Sequence, residues 1–493
     1  AQPVAMAAAA GPRVSAVVEE EVLEAHVDAI RKRNTTTSGC GGEIGLILGM
    51  SNPSLRDLVL DLIPTPLQED FFTSASSQQH KNASNQKTSR SKGSASSQSQ
   101  SQSVSFDIDW ITEHAAQIDR MLIGGIVVLG VYVFASDALM KQSSVQAQVQ
   151  RVMAAVARDV TKHPSRSHML LVHFDSTSRK TTCKCTSPAG MKPVEIKFTK
   201  KVDANLVRIQ SRYIIRNPFT ILPSPASSSA MRKEVDRFIK REKEKLKQLT
   251  VRIATASPKK NHAVLITCQD EPSSTVNTVK DVTDQSTGSS GVIRADLLVP
   301  SRADVVAPPP ACSPRGGGGA TSAAALGGRI ALSGAVTVLA YAHARDEPTS
   351  IAHAIRMDIL RSIQARMDIT DEASDEANHD GGVENANVLA SDVPSVMVLP
   401  VRKFFAMREG PSKGYAIVYG SYDTGRDAQV MEELTGRKGF TRDHVEGGEE
   451  EDHVEARDRA AEHVDYWDPN PTIENAKTKA KSSTTTTATT TLG

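Results

Sequence analysis

The sequence is poor in aromatic residues and in cysteine. Phe, Trp and Tyr together make up only 4% of its 493 residues. Because a chain with so few large apolar side chains cannot offset its conformational entropy by burial along its whole length, we expect long disordered segments. The five cysteines (Cys40, Cys183, Cys185, Cys268 and Cys312) are odd in number and widely spaced. This pattern argues against a disulfide framework and favours a reducing compartment.

An excess of charge of one sign and a long apolar run are also missing. The chain has 58 basic and 57 acidic residues, so no global field indicates a nucleic-acid or membrane-surface binder. The longest apolar run, Met121 to Ala135, spans 15 residues, whereas a helix that crosses a bilayer needs about 20. The chain begins without an initiator methionine and carries no signal-peptide pattern. We therefore expect no transmembrane helix in this chain.

Composition and periodicity predict two ordered α/β units joined by low-complexity chain. The first unit covers residues 14–270 and contains a Ser/Gln-rich, disordered insertion at 73–105. A Ser/Thr/Pro/Gly-rich linker is expected at 271–328, and a smaller α/β unit at 329–440. The remainder, 441–493, is predicted to be a disordered tail with the degenerate repeats DHVE, DHVE and EHVD.

Two helices are predicted with particular clarity. Asp109 is expected to cap an amphipathic helix that ends before Gly124 and Gly125, and a buried strand follows at 126–134. The charged segment 232–249 has an apolar side made of Val235, Phe238, Ile239, Leu246 and Leu249. A surface for anionic lipid or RNA is one interpretation of this helix, but a solvated amphipathic helix is the simpler one.

The stretch 107–134, DIDWITEHAAQIDRMLIGGIVVLGVYVF, is the most distinctive part of the chain. It resembles the signature of the Odr-four family, the odorant-response protein that assists trafficking of certain G-protein-coupled receptors. The segments 45–66, 332–341 and 356–359 resemble the early and late regions of the same family. The positions that match the family signature are Trp110, Glu113, His114, Ala115, Met121, Leu122, Gly124, Gly125, Leu129, Gly130 and Val131.

The resemblance implies a non-catalytic adaptor that helps a subset of receptors leave the endoplasmic reticulum, on the cytosolic face of endomembranes. The family also resembles the non-catalytic portion of the UFM-specific protease and is associated with it. The implied partners are therefore that protease and membrane receptor cargo, with no nucleic acid. A scaffold or membrane recruiter for the protease is one alternative, and a divergent JAMM-type metalloprotease is another. Animal members end in an apolar anchor, whereas this chain ends in KTKAKSSTTTTATTTLG, so we expect either a truncated record or membrane association through a partner.

The family in turn looks like a divergent MPN domain, the fold of JAMM zinc proteases, which implies a three-layer domain with a mixed sheet in the first unit. An active JAMM site needs a glutamate base near a G-x-L-x-G strand, and it needs H-x-H and a later Asp as zinc ligands. The pattern places Val133 and Ala135 at the histidines and Gln146 at the aspartate. Glu43 is one residue out of register, which on a strand turns it to the other face.

Aliphatic side chains cannot coordinate zinc, so we predict no catalytic residue, no metal and no cofactor. A core strand of an unrelated α/β domain stays open as the other interpretation of residues 126–135. Cys183 and Cys185 share one strand face, but no second pair follows at zinc-ligand spacing, and we expect exposed structural thiols. His163, His168 and His173 are interpreted as incidental surface histidines. No G-x-S-x-G or phosphate-loop motif supplies another catalytic candidate.

Overall fold

A computed structural model describes residues from both predicted units. The described residues are 15–36, 42–51, 56–66, 106–160, 168–187, 190–200, 202, 205–218, 228–254, 263–267, 278–285, 292–299, 330–380, 396–407, 417–422, 427–442 and 454–458. The insertion predicted at 73–105 lies outside them. The α/β class predicted from the sequence is confirmed, since strands and helices alternate through both units.

The first sheet closes into a seven-stranded barrel in the order β1-β3-β2-β4-β5-β6-β7. Its strands are β1 (Ser15–Glu19), β2 (Glu43–Met50), β3 (Arg56–Pro64), β4 (Val127–Ala135), β5 (Leu170–Asp175), β6 (Thr181–Ser187) and β7 (Gly190–Thr199). The ring closes because β1 pairs in parallel with β3 on one side and with β7 on the other. The predicted three-layer arrangement therefore needs correction, since the mixed sheet leaves no free edge at β1.

Both faces of the barrel sheet are packed. One face, carrying Tyr132 and Phe174, meets helix α1 (Glu20–Thr36). The other face, carrying Val133, meets α2 (Ile108–Met121) and α4 (Ser143–Val160), with the short α3 (Asp137–Met140) between β4 and α4. Because neither side of β4 touches solvent, its sequence VVLGVYVFA is apolar throughout instead of alternating.

Helix α2 carries the predicted apolar stripe, but its cap lies two residues earlier than expected. The Asp107 carboxylate accepts a hydrogen bond from the Trp110 backbone N–H at 3.0 Å, and Asp109 lies inside the first turn. After the helix, Gly124 and Gly125 allow the chain to pass close to its neighbours. A Cβ at Gly124 would collide with the backbone carbonyl of Ala354, and Gly125 has a φ of +85°.

The second sheet has seven strands in the order β10-β9-β11-β8-β12-β17-β13. These are β8 (Leu206–Pro218), β9 (Thr250–Ala254), β10 (Ala263–Thr267), β11 (Val292–Leu298), β12 (Ile330–His343), β13 (Val396–Val398) and β17 (Val454–Asp458). β8 and β12 pair along their length, so strands from both predicted units share this sheet. The unit boundaries predicted at 14–270 and 329–440 do not follow the sheets, because β8, β9 and β10 of the predicted first unit belong to the second sheet.

The predicted linker and tail also need correction. Helix α6 (Val279–Gln285) and β11 lie within 271–328, and β11 forms because Ile293 and Ala295 alternate with polar neighbours and bury one face. In the tail at 441–493, β17 pairs with β12 and β13. The residues around these elements lie outside the described part, so the remaining disorder stays a prediction.

Helices α5 (Ser228–Lys245) and α7 (Thr349–Asp380) cover one face of the second sheet. The apolar side predicted for 232–249 packs there, with Phe238, Leu246 and Leu249 buried, while the side chain of Val235 lies outside the described part. Helix α7 continues past Asp368 through an acidic segment and ends at Asp380.

A third sheet of three strands completes the described structure. It consists of β14 (Lys403–Met407), β15 (Val418–Ser421) and β16 (Phe440–Arg442), and helix α8 (Asp427–Thr435) precedes β16. This small sheet joins the barrel core through Phe405 and Tyr419. None of the helices in the described part of the chain combines the length and the hydropathy needed to span a bilayer.

Candidate functional site

The two positions of β4 that the JAMM pattern compares with zinc-binding histidines are buried. Val133 and Ala135 of β4 are 1% and 2% exposed and belong to the core beneath α4. Gln146, at the position of the third ligand, uses its side-chain amide to donate to the Met140 carbonyl at 3.0 Å. The predicted burial of strand β4 is confirmed.

Glu43 lies on the other face of the barrel, as its register predicted. It pairs with Phe134 across β2 and β4, whereas Val133 pairs with Ile44. The Tyr132 hydroxyl donates to Glu43 Oε1 at 2.7 Å, and the Arg33 guanidinium donates at 2.8 Å. Burial, followed by the nearby Glu43 carboxylate, raises the pKa of Tyr132 well above its usual value. Glu43 is thus fixed by two donors on the face opposite Val133 and Ala135.

A cleft of about 220 Å³ lies between the helices α3 and α4 and the strands β5, β6 and β7. Lys141 and Lys184 bring positive charge to it, and Gln146 and Gln150 bring amides. Its apolar lining consists of Met140, Val149, Leu171 and Met191. This volume lies below the roughly 300–1,000 Å³ of typical small-molecule pockets. The cleft is therefore of a size for one or two side chains of a peptide.

His173 brings an imidazole to this cleft. It pairs with Val133 across the parallel strands β4 and β5, and its side chain is only 7% exposed. His173 Nε2 lies 3.0 Å from the Ala135 carbonyl oxygen, which can only accept, so this nitrogen carries the proton. His173 Nδ1 then lies 3.7 Å from Asp137 Oδ1. The interpretation of His173 as an incidental surface residue is therefore wrong.

The neighbouring Asp175 is already saturated with hydrogen bonds. Its carboxylate accepts from the side chains of Thr177 and Ser178 and from the Asp137 backbone N–H at 3.1 Å. The hydrogen bond from Ser178, the largest cause, holds its pKa well below the usual range. His173 Nδ1 and the Asp137 carboxylate are left as possible metal ligands. Two such ligands are too few, because catalytic zinc takes three from the protein. Across the described residues, no group of three or more His, Cys, Asp or Glu side chains could hold a metal.

His168 and the two thiols of β6 are buried as well. His168 Nε2 lies 2.8 Å from Asp57 Oδ2 with its side chain 8% exposed, while His163 lies outside the described residues. Cys183 and Cys185 are each 5% exposed and point into the barrel core, so the expectation of exposed thiols is wrong. Burial raises the pKa of Cys183 to about 12, which keeps it protonated and unreactive at neutral pH.

The signature segment 107–134 also contacts the second sheet through a buried ionic network. Asp358 accepts hydrogen bonds from the backbone N–H groups of Gly124 at 2.9 Å and Leu339 at 3.0 Å. Arg402 donates to the same carboxylate at 3.0 Å, and both residues of this pair are fully buried. Arg361 donates to the backbone carbonyls of Leu122, Ile123 and Ile126 and to the Asp119 carboxylate.

Sequence analysis missed both the cleft and this network. The segment HFD at 173–175 gave one usable signal, since polar residues at the carboxyl end of a buried parallel strand often line a site. Asp358 stands in the segment that resembles the family's late region, but nothing in its spacing indicated Arg402 as its partner.

Comparison with known proteins places the chain in a family. The model of the ODR4-like family, described as Odorant response abnormal 4-like, matches residues 45–422. The protein belongs to the ODR4-like family. The predicted resemblance to the Odr-four family is thereby confirmed.

Curated relatives of this ODR4-like chain are all named Protein odr-4 homolog. The chicken protein is 26% identical over 172 residues, which are 33% of this chain and 33% of the relative. The mouse protein is 28% identical over 111 residues, which are 20% of this chain and 25% of the relative. The human protein is 30% identical over 87 residues, which are 16% of this chain and 19% of the relative. The chain thus spans a third or less of the length of these relatives.

Among solved structures, this ODR4-like chain is similar to UfSP from C. elegans. The match covers 86% of this chain and 57% of the UfSP chain. The sequence identity is 9% and the TM-score is 0.40. A second structure, protein DSY2949 from Desulfitobacterium hafniense, covers 38% of this chain and 96% of its own, with 12% identity and a TM-score of 0.19.

Proposed function

We propose that this ODR4-like protein is a non-catalytic adaptor that assists the trafficking of a subset of G-protein-coupled receptors. It acts on the cytosolic face of the endoplasmic reticulum and binds receptor cargo and a UFM-specific protease. Its barrel is a divergent MPN-like domain in this proposal. The single observation that carries the non-catalytic part is the burial of Val133 and Ala135 where a hydrolase would hold its metal.

The cleft beside β4 is the proposed docking point for a partner peptide. Its apolar lining suits one or two aliphatic side chains, and Lys141 and Lys184 favour an acidic group next to them. Lys141 forms an exposed ion pair with Asp137 of the same cleft at 3.6 Å, and such surface pairs are weak enough for the lysine to turn to an acidic group of a partner. The cleft also adjoins Gln146, so the partner would occupy the place where a related hydrolase would take its substrate.

The docking role is tested by charge reversal in the cleft. Lys184→Glu should weaken co-purification of a recombinant UFM-specific protease by about tenfold, because a repulsive charge replaces an attractive one in a confined cleft. Lys192→Glu is the matched control, since Lys192 is exposed on the adjacent strand β7 and does not line the cleft. Equal capture by both variants would contradict a role for the cleft.

The trafficking role needs a separate readout in cells. In cells that lack their own copy, the intact chain should restore the surface fraction of a panel of G-protein-coupled receptors, and Lys184→Glu should restore less. Restoration of protease binding without any change in receptor delivery would favour the alternative, a scaffold or membrane recruiter for the UFM-specific protease.

The approach of His173 to Asp137 gives the metalloprotease alternative a definite test. If the protein is an adaptor, it should carry no stoichiometric zinc when it is purified without chelator. The two possible ligands, His173 and Asp137, do not complete a catalytic zinc site. Metal analysis by mass spectrometry that returns about one zinc per chain, lost in His173→Ala, would support a divergent JAMM-type enzyme instead.

A further inference from the structure

Helix α5 has one side fixed in the core of the second sheet. Phe238 and Leu246 are buried in that core. Glu242 is buried next to them, where it accepts a hydrogen bond from the Tyr213 hydroxyl at 2.6 Å, and Lys245 lies 3.7 Å from the same carboxylate. The apolar side of this helix is therefore used inside the fold and is not available for insertion into a bilayer.

The opposite side of α5 exposes charged and amide side chains. A helical period of 3.6 residues places Lys240 and Glu244 on the side opposite Phe238 and Glu242. The exposed residues of the described stretch 236–249 are Asp236, Arg237, Lys240, Arg241, Glu244, Lys247 and Gln248. None of these seven is apolar. The basic face of α5 is defined here by Arg237, Lys240, Arg241, Lys243 and Lys247.

The two carboxylates on this side leave most of the positive charge uncompensated. Lys247 donates to both oxygens of Glu244 at 2.7 Å, and this hydrogen bond is the largest cause that lowers the pKa of Glu244. Asp236 is next to Arg237 and has the opposite charge. These two acidic residues are therefore matched by two of the five basic ones.

The other three cations of the basic face are without such a match. Lys240, Arg241 and Lys243 form no hydrogen bond or ion pair within the part of the chain that the structure describes. Lys240 and Arg241 are exposed, and Lys243 is half-buried. Arg356 of α7 lies close enough for its charge to lower the pKa of Glu244 further, so it adds positive charge beside the face. Because the chain has 58 basic and 57 acidic residues, this excess of one sign is local.

The composition of the basic face argues for one class of ligand. Proteins that bind single-stranded RNA stack bases on exposed aromatic side chains, but Phe238, the only aromatic residue in the stretch 236–249, is 1% exposed. Protein interfaces have an apolar centre, which the exposed residues of this stretch do not supply. A layer of anionic lipid headgroups needs neither feature, since it attracts Lys and Arg by charge alone.

We propose that the basic face of α5 lies against the anionic headgroups of a membrane surface. Clusters of about 4–8 Lys and Arg on one helix are typical of such contacts, and this face has five. The stretch 236–247 extends about 17 Å along the helix axis, so several headgroups fit along it. The long side chains of Lys240, Arg241 and Lys243 can reach these headgroups while the buried side of the helix stays in the core.

This contact requires neither a receptor nor a protease, so it is tested apart from the proposed adaptor role. The full chain is sedimented with vesicles of phosphatidylcholine alone and with vesicles that contain about 30% phosphatidylserine. It should sediment with the anionic vesicles only. Exposed charges are screened by salt, so the protein should be released as the salt concentration rises from about 50 to about 500 mM.

Charge reversal on the helix identifies the surface. The triple variant Lys240→Glu, Arg241→Glu and Lys243→Glu should bind anionic vesicles at least about tenfold more weakly, because repulsion replaces attraction at three positions. The double variant Lys240→Arg with Lys243→Arg keeps the charge and should bind as well as the intact chain. Circular dichroism of both variants shows whether the fold is kept.

A matched control separates this face from the net charge of the chain. The triple variant Lys192→Glu, Lys197→Glu and Lys200→Glu makes the same change in charge at exposed lysines on β7 or next to it. Its affinity for the anionic vesicles should fall by less than about threefold, since these lysines lie outside the basic face.

Three results would overturn the proposal. One is an equal loss of vesicle binding in the two triple variants, which would assign the effect to net charge. Another is equal sedimentation with vesicles of phosphatidylcholine alone. The third is binding of a fluorescein-labelled single-stranded RNA, lost in the α5 triple variant, in the absence of vesicle binding, which would assign the face to RNA.

Discussion

Strands β4 and β8 lie in the middle of their sheets, yet they are built in opposite ways. β4 is apolar at nearly every position. Its adjacent residues Tyr132 and Val133 face opposite sides of the sheet, and both are 1% exposed or less. β8 alternates, with Tyr213 buried on one side and Arg212 and Ile214 exposed on the other. Strand β4 is therefore covered on both faces, whereas β8 has one face with exposed side chains.

This difference separates a strand whose side chains form the core on both faces from a strand with one exposed face. In the barrel, Val133 and Ala135 belong to the buried core, and buried polar groups such as the Tyr132 hydroxyl and the His173 imidazole have hydrogen-bond partners. In the second sheet, polar and charged side chains remain along a whole face. We therefore expect substitutions of buried side chains in the barrel to change stability more than substitutions of exposed side chains on β8 and β11.

The largest expected effect lies where the two regions meet, at Asp358. Asp358→Ala would leave Arg402 buried without its carboxylate and would remove the acceptor of the Gly124 and Leu339 backbone N–H groups. Breaking a buried ion pair in this way costs about 3–5 kcal/mol of unfolding free energy. Urea unfolding followed by circular dichroism measures the loss. Asp28→Asn, whose side chain is 72% exposed, is the control, and an equal loss in both would contradict this account.

A smaller effect is expected for the polar group inside the barrel. Tyr132→Phe keeps the ring against His26 and Phe174 but removes the hydroxyl that donates to Glu43 at 2.7 Å. Hydrogen bonds to charged groups contribute about 1.5–3 kcal/mol, and Arg33 still holds Glu43, so we expect a loss near the lower end. The same urea assay applies. If stability does not change, the Glu43 group adds nothing to the barrel beyond packing.

The covered strand was accessible to sequence reasoning because its signals are local. The stripe of α2 follows a helical period, the burial of Val133 and Ala135 follows from an unbroken apolar run, and the placement of Glu43 on the opposite face follows from a one-residue register argument. The charged helix α5 was accessible for the same reason, since its apolar side is written into the spacing of Phe238 and its neighbours.

The features that escaped are those that depend on distant pairing. Closure of the barrel joins β1 to β7, and the second sheet joins β8 to β12 across more than a hundred residues, which no local pattern records. Arg402 is a long charged residue that a sequence places at the surface, yet it is fully buried because Asp358 accepts from it. The cleft escaped because His173 reaches it only through parallel pairing with β4.

The stability of the barrel should also depend on pH. Burial, followed by the positive charges of Arg437 and Arg33, lowers the pKa of His26 well below 6.5. The folded state therefore keeps His26 neutral, and the stability it contributes is present above pH 6.5 and is lost as pH falls below that value. For one proton the slope is at most about 1.4 kcal/mol per pH unit.

The variant His26→Phe keeps an aromatic ring against Tyr132 and removes the titrating group. The midpoint temperature of thermal unfolding should therefore fall less steeply from pH 7 to pH 5 in this variant than in the intact chain. Part of the slope should remain, because burial also lowers the pKa of His114. The exposed His353 is the control: His353→Gln should leave the slope unchanged, and a slope that follows His353 instead of His26 would refute the assignment.

The smallest effect on stability is expected for the exposed side chains of β11. Leu298→Ser changes a side chain that is already 46% exposed, so the unfolding free energy should shift by no more than about 0.5 kcal/mol. Ile293→Ala on the same strand removes a side chain that is 2% exposed and packs under the helices, and it should cost about 2–5 kcal/mol. Urea unfolding of this pair compares the two faces of one strand directly. A large loss for Leu298→Ser would mean that part of the chain already covers this face, and the difference between the doubly covered barrel and the half-covered sheet would disappear.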